Sequence, residues 1–385
     1  MNILFLTSAM KDSDFASYQH EAKIKPNPSN QNFYSRLIKA LALNNNIFVV
    51  SQRPFCKGMF RKSELPAHNT FDGNIHYYYT RAFSSKFKKA LVESASIFAT
   101  ATNAIKDIVS NEFIVVVDTL KLNLVKAAKK IGKQYNVKVV GMLTDNPNNL
   151  SNSSPFINKA LLKQGSSLDG YLSLSKGLVD VFNKFAPSYV FEGLVRDEEE
   201  IKKDPLSDYF YFSGSLYERY GVKELVDVFH ESNIKHKLVI AGNGPLAKYI
   251  EEMEEKDYRI LYLSQISADK NFSYMRNSIA NINPRPLDPK LDEESIPSKL
   301  LEYLSVGVPT ISTKFPKLYK VFKDDVTWVE TSLIETLESF DLNNIKEYQK
   351  KAASARRKVF EFYGTNVQGE SISHFLQEVN SLANF

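Results

Sequence analysis

The chain has 385 residues, 43% hydrophobic and 24% charged, which at about 150 residues per domain makes two globular domains with separate cores. Cys56 is the single cysteine, so an intrachain disulfide and a Cys/His metal cluster are excluded. Residues 1–6 lack the basic flank and length of a secretory signal, and no apolar run reaches the roughly 18 residues of a spanning helix, so a soluble, cytoplasmic protein is expected. The net charge of +5 hides an asymmetry: residues 1–190 carry 24 Lys and Arg against 12 Asp and Glu, and the remainder 25 against 32. A basic first half suits a domain that faces an anionic membrane, a phosphorylated substrate or nucleic acid, although solubility alone also accounts for it.

Short runs rich in Val, Ile, Phe and Tyr alternate with helical stretches, the pattern of βα units building a parallel sheet. A first sheet is expected from residues 2–6, 47–51, 75–79, 113–117, 138–143 and 171–174, with helices at 32–43 and 122–135. Between its first strand and first helix, residues 7–31 read as a long polar loop. Tyr77, Tyr78 and Tyr79 read as strand and edge residues. Residues 81–92, RAFSSKFKKALV, read as a basic amphipathic helix with Phe83, Phe87, Ala90 and Leu91 on one face, turned to anionic headgroups or to the domain core. The charged stretch 192–205, ending in a proline, reads as a linker. A second sheet then follows from 209–213, 237–241, 259–263, 280–283 and 310–312, with helices at 223–231, 246–255, 272–278 and 297–304.

Two doubly wound α/β domains of this kind bind ligands beyond the carboxyl ends of their strands and are expected to face each other across a central cleft. The loop after the first strand contains no glycine and no P-loop lysine motif occurs, which argues against a nicotinamide, flavin or P-loop enzyme. The G-x-G at Gly242 serves a tight turn in its plainest reading. The histidines show no metal or triad spacing.

The most informative segment is 283–312, NPRPLDPKLDEESIPSKLLEYLSVGVPTIS. Pro297 suits the first position of a helix, Gly307 a left-handed stop and Pro309 a barrier to continuation. The amides of Ser298, Lys299 and Leu300 then form a phosphate site at the positive end of the helix dipole, to which Lys299 adds a full charge. Glu302 lies within that helix and Glu294 in the loop before it, so two carboxylates able to bind neighbouring sugar hydroxyls bracket a phosphate site.

The spacing of Glu294 and Glu302, E-x7-E followed by E-Y-L-x-x-G-x-P-x-I, resembles the signature of retaining GT-B glycosyltransferases of family four. FSGSLYERYGVKELVDVF, from 212 to 229, resembles the opening of that family's donor domain, and LVIAGNGPL its next strand and turn; the resemblance covers roughly 209–313. The variant SIPSK after NPRP looks like a bacterial subgroup that builds cell-surface polysaccharides. The implied fold is GT-B: an acceptor-binding Rossmann-like domain over 1–195, a nucleotide-sugar donor domain over 206–365, and a terminal helix over 366–385 packing back on the first domain.

The resemblance also implies roles. Glu302 would hold the donor ribose and Glu294 the donor sugar, while the amides of Ser298, Lys299 and Leu300, after Pro297, would hold diphosphate, with Gly242 nearby. Leu263, Ser264 and Gln265 would cradle the base. Ser215 and Tyr220 stand where relatives carry diphosphate-binding arginine and lysine, which leaves Arg219 and Arg285 as replacement cations; Arg285 also suits an ion pair with a nearby acid. On the acceptor side Asn32 would cap the helix that replaces the missing glycine pair, and Thr144 and Asp145 stand where many relatives have His-Asp. Asp145 would orient or deprotonate the acceptor hydroxyl, or serve only the turn before Pro147.

The expected function is therefore metal-independent, cofactor-free transfer, with retention, of a hexose or deoxyhexose from a nucleotide-diphosphate donor to a hydroxyl of a glycan, lipid-linked at the inner face of the membrane. A catalytically inactive GT-B partner subunit or glycan-binding protein is the alternative, favoured by the absent cations at 215 and 220. An epimerase or phosphorylase fits less well, and the dispersed positive charge without a groove-reading motif argues against nucleic acid.

Overall fold

The computed structural model describes every residue except 27, 109–111, 150–153, 197–207, 295 and 383–385, so the expected linker lies outside the described residues from 197 onward. Two compact units emerge: Met1–Leu194 with Glu293–Ile296 and Thr365–Phe385, and Val195–Asp292 with Pro297–Gly364.

The first unit contains β1 (Asn2–Thr7), β2 (Asn46–Ser51), β3 (Glu64–Leu65), β4 (His68–Asp72), β5 (Ile75–Tyr79), β6 (Ala82–Phe83), β7 (Phe113–Asp118), β8 (Val139–Leu143), β9 (Gly170–Ser173) and β10 (Ser188–Val190). Eight of these form one sheet in the order β10-β9-β8-β7-β1-β2-β5-β4, while β3 and β6 pair separately. Every neighbour in the large sheet is parallel except β4, which runs against β5. The continuous apolar run of β1 is explained by burial on both faces: Ile3 and Phe5 enter one core layer, Leu4 and Leu6 the other. The helix Leu122–Tyr135 buries Leu124, Val125, Ala127, Ala128 and Ile131 along one stripe and stops where Asn136 takes a left-handed φ of 53°.

Several local expectations are corrected here. Residues 7–31 are not a polar loop, for Asp12–Glu21 is a helix and a second runs over Pro28–Ala42. The former buries only Phe15 and Tyr18, too few apolar positions to register as a periodic stripe. Tyr77, Tyr78 and Tyr79 are buried and not at an edge, because β4 covers the outer side of β5. Residues 81–92 do not form one amphipathic helix: Phe83 is buried in β6, Phe87 is exposed, and the chain passes through a single turn, Lys86–Lys88, into a π-helical Lys89–Glu93.

The second unit is one wholly parallel sheet, β11 (Tyr209–Ser215), β12 (Lys237–Asn243), β13 (Ile260–Tyr262), β14 (Ala280–Asn283), β15 (Thr310–Ser312) and β16 (Thr327–Trp328), in the order β13-β12-β11-β14-β15-β16. Here too alternation places Phe210 and Phe212 in one layer and Tyr211 in the other. The long helix Ile345–Tyr363 stays with this unit, whereas Thr365–Ser381 belongs to the first, where Ile372, Leu376 and Val379 join its core. Among the described residues, no helix is long and apolar enough to cross a membrane.

Candidate active site

At the carboxyl end of the second unit's sheet, β11 and β12 run side by side through Gly214 and Gly242 to Ser215 and Asn243. A side chain at Gly242 is impossible, since φ is +148° and a Cβ would lie 1.9 Å from the Gly214 carbonyl oxygen. The Gly242 amide donates to the Ser264 carbonyl at 2.8 Å, and the Leu263 amide to the Ile240 carbonyl at 2.9 Å. Leu263 and Ser264 are thus engaged by the sheet, while Ser264 (φ 55°) turns the chain so that Gln265 follows on the surface. Ser215 is exposed at the tip of β11.

The helix of the E-x7-E segment spans Ser298–Ser305 and ends with Gly307 at φ +69°. Pro297 is its N-cap residue and not its first helical residue. The Leu300 amide donates to the Pro297 carbonyl at 2.9 Å, so the expected trio of ligand-facing amides reduces to Ser298 and Lys299 at the head of the helix. Tyr303, one residue beyond Glu302, holds this helix to the sheet: its buried hydroxyl accepts from the Ser213 amide at 2.9 Å and donates to the Ser213 carbonyl at 3.1 Å. The Lys299 ammonium donates to Glu302 Oε2 at 2.7 Å, so the anion-binding cation and the ribose-binding carboxylate of the expectation form an ion pair.

Arg285, just after β14, is buried and its Nη2 meets Asp292 Oδ1 at 3.1 Å. Burial pulls both members toward their neutral forms, opposed by their mutual attraction; Arg219 lies close enough to lower the Arg285 guanidinium further. The structure therefore brings together the two candidate replacement cations. Arg219 is exposed on the turn Glu218–Tyr220, its guanidinium 5.3 Å from the Tyr217 ring centre and 5.0 Å from that of Tyr220.

Glu294 is not in a loop: it closes the short helix Pro289–Glu294, and the stretch Glu293–Ile296 sits in the first unit. There its carboxylate accepts from Asn146 Nδ2 at 3.1 Å and Asn149 Nδ2 at 2.7 Å.

In the same unit Thr144 and Asp145 follow β8, Thr144 half-buried and Asp145 exposed. Both lie within electrostatic reach of the buried Tyr34 hydroxyl, as does Asp118 at the end of β7. Burial foremost, then Asp118 and Asp145, push the Tyr34 phenol up, and burial likewise raises the Asp118 carboxyl. Asn32 is not a cap; it lies inside the helix Pro28–Ala42, two residues before Tyr34. Tyr34, Asp118 and the two asparagines belong to no motif of the sequence, and Tyr303 only fills the middle place of E-Y-L. A strand ending in Asp, VVVD, was the one available signal, for Asp118.

Two Rossmann-like units with candidate residues after their strand ends are the parts from which a GT-B fold is built, and the comparisons support that fold. Residues 196–358 match the family described as glycosyl transferases group 1. A search among curated proteins finds no match. Among solved structures the chain is similar to sucrose-phosphate synthase from Thermosynechococcus elongatus, at 10% identity over 98% of this chain and 99% of that one, with a TM-score of 0.67. It is similar to Anabaena Alr3699/HepE in complex with UDP, at 11% identity over 98% and 100%, TM-score 0.63. It is also similar to the lipopolysaccharide outer core galactosyltransferase WaaB, at 16% identity over 98% and 99%, TM-score 0.57. The chain has the GT-B fold, with a glycosyl transferases group 1 domain over residues 196–358.

Proposed function

We propose that this enzyme moves a hexose or deoxyhexose from a nucleotide-diphosphate donor to a hydroxyl of a lipid-linked glycan during assembly of a bacterial surface polysaccharide, with retention and without a metal or other cofactor. The observation that carries the reading is the head of the helix Ser298–Ser305, where the amides of Ser298 and Lys299 stand beside a Lys299–Glu302 pair. Helix amides and dipole neutralise a leaving diphosphate, and Arg219 and Arg285 supply the cations missing at Ser215 and Tyr220. Glu302 takes the ribose hydroxyls, releasing Lys299 toward phosphate as it does so. Leu263, Ser264 and Gln265 border the base. Glu294 binds the transferred sugar, and Asp145, with Thr144 and Asn32 on the acceptor side, orients the attacking hydroxyl.

The +12 charge of residues 1–190 supports an acceptor-binding domain drawn to lipid diphosphate and to the anionic inner face of the membrane. The galactosyltransferase likeness supports the surface-glycan assignment, and the UDP in the HepE complex makes UDP the first nucleotide to try.

The test is a thermal-shift screen against UDP, GDP, dTDP, ADP and CMP with their sugar conjugates, repeated with Glu302→Ala. A ligand at about 100 times its Kd adds roughly 2.7 kcal/mol. Stabilisation by one nucleoside diphosphate that is lost in Glu302→Ala is the expected result. Stabilisation by none of them would move the inactive-partner reading to the front.

A further inference from the structure

We propose that Asn146 and Asn149 are positioning residues that hold the Glu294 carboxylate ready for the donor sugar. The inference rests on the reading that Glu294 binds that sugar.

The two asparagines come from one tight turn after β8. Its shape is fixed by the Asn149 amide donating to the Asn146 carbonyl at 2.9 Å and the Asn148 amide donating to Asn146 Oδ1 at 3.0 Å. With Oδ1 occupied as an acceptor, the Asn146 side chain has one orientation, and its Nδ2 must point the other way, to Glu294 Oε1 at 3.1 Å. Asn146 is itself buried, so this donor cannot swing away to solvent. Asn149 then supplies the second bond, to Oε2 at 2.7 Å. One donor per oxygen fixes both the position and the plane of the carboxylate.

The backbone beneath is seated as well. At Gly177, in the first turn of the helix Lys176–Asn183, a Cβ would lie 2.7 Å from the Glu293 carbonyl oxygen, so a larger residue there would lift the segment that carries Glu294. Three residues outside the E-x7-E signature thus converge on its first glutamate.

The chemistry of the clamp suits a sugar ligand. A carboxylate offers about four lone-pair sites, and two single bonds from amides leave the others for sugar hydroxyls. Both donors are neutral amides and add no positive charge of their own beside the oxygens that face those hydroxyls.

The experiment measures binding of the nucleoside diphosphate and of the intact nucleotide sugar, with kcat and KM, for wild type, Asn146→Ala, Asn149→Ala, Asn149→Asp, Glu294→Gln and the pair Asn149→Ala/Glu294→Gln. Asn149→Asp keeps the shape and replaces the donor by an acceptor, which covers the case in which an alanine variant folds poorly. The expected result is a loss of about tenfold or more in nucleotide-sugar affinity for every single variant. Affinity for the bare diphosphate should be unchanged, and Asn149→Ala should have no further effect once Glu294 is Gln. Wild-type sugar binding in Glu294→Gln would overturn the assignment of Glu294 itself. An impaired Glu294→Gln beside unaffected asparagine variants would overturn the inference alone, as would an Asn149→Ala effect that persists undiminished in the Glu294→Gln background.

Discussion

Asp257 illustrates how a charge that looks available in the sequence is already answered within the fold. It accepts from Arg259 Nη2 at 2.7 Å and lies 3.1 Å from His230 Nδ1, and these partners, Arg259 first, hold its carboxyl far below the usual carboxylate range. A depressed folded value means that the stabilisation is complete above the unfolded value of about 3.8 and is lost as pH falls below it. Asp257→Asn should therefore lower the melting temperature at pH 6, and the gap to wild type should narrow progressively below about pH 4. A gap that stays constant down to pH 3 in a calorimetric pH series would show that the effect is not electrostatic. The same lesson applies to Lys299, paired with Glu302, and to Arg285, paired with Asp292. Residue type and spacing single out these side chains and, for Arg285, an ion pair with a nearby acid, which the structure identifies as Asp292; the Lys299–Glu302 pair is set by the helix itself, three positions apart.

At the scale of the element, the helix Ser298–Ser305 was largely legible, because Pro297, Gly307 and Pro309 mark its ends through their backbone restrictions. Its start lies one position later than Pro297 by itself suggests, which takes the Leu300 amide into the helix, since a proline suits both N-cap and first-turn positions. What aims the helix was not legible at all. The Tyr303 hydroxyl clasps both backbone groups of Ser213, 90 residues earlier in the chain. Tyr303→Phe leaves those buried groups unsatisfied and should cost about 1–3 kcal/mol in denaturant unfolding. On the proposed function it should also weaken diphosphate binding, through a tilted helix. Unchanged stability in the phenylalanine variant would deny the clasp its structural role. The helix Asp12–Glu21, by contrast, has only two buried residues to announce it.

At the scale of the whole molecule, the last helix gives the clearest test of how the chain is partitioned. Leu376 is fully buried in a core cluster shared with Phe5, Leu37 and Leu41, so the end of the chain helps to close the unit that its beginning builds. Leu376→Ala should cost about 2–5 kcal/mol, and the loss should fall on the first unit, in whose core it lies. Hydrogen exchange of β1 and β7 against that of β11 and β12 would locate it; equal loss in both sheets would mean that the units do not unfold separately. By itself the sequence determined the two sheets, parallel but for β4, and most of their strands, since double-sided burial imposes continuous apolar runs, and it determined the glutamate pair and the helix between its breakers. Only the tertiary structure decided which carboxylates meet cations, which meet neutral amides, and that Asn146 and Asn149 reach Glu294 across 148 and 145 residues of chain. Pairing at that separation leaves no periodicity in the sequence, because it is fixed by how strand ends and turns come together and not by any repeat along the backbone.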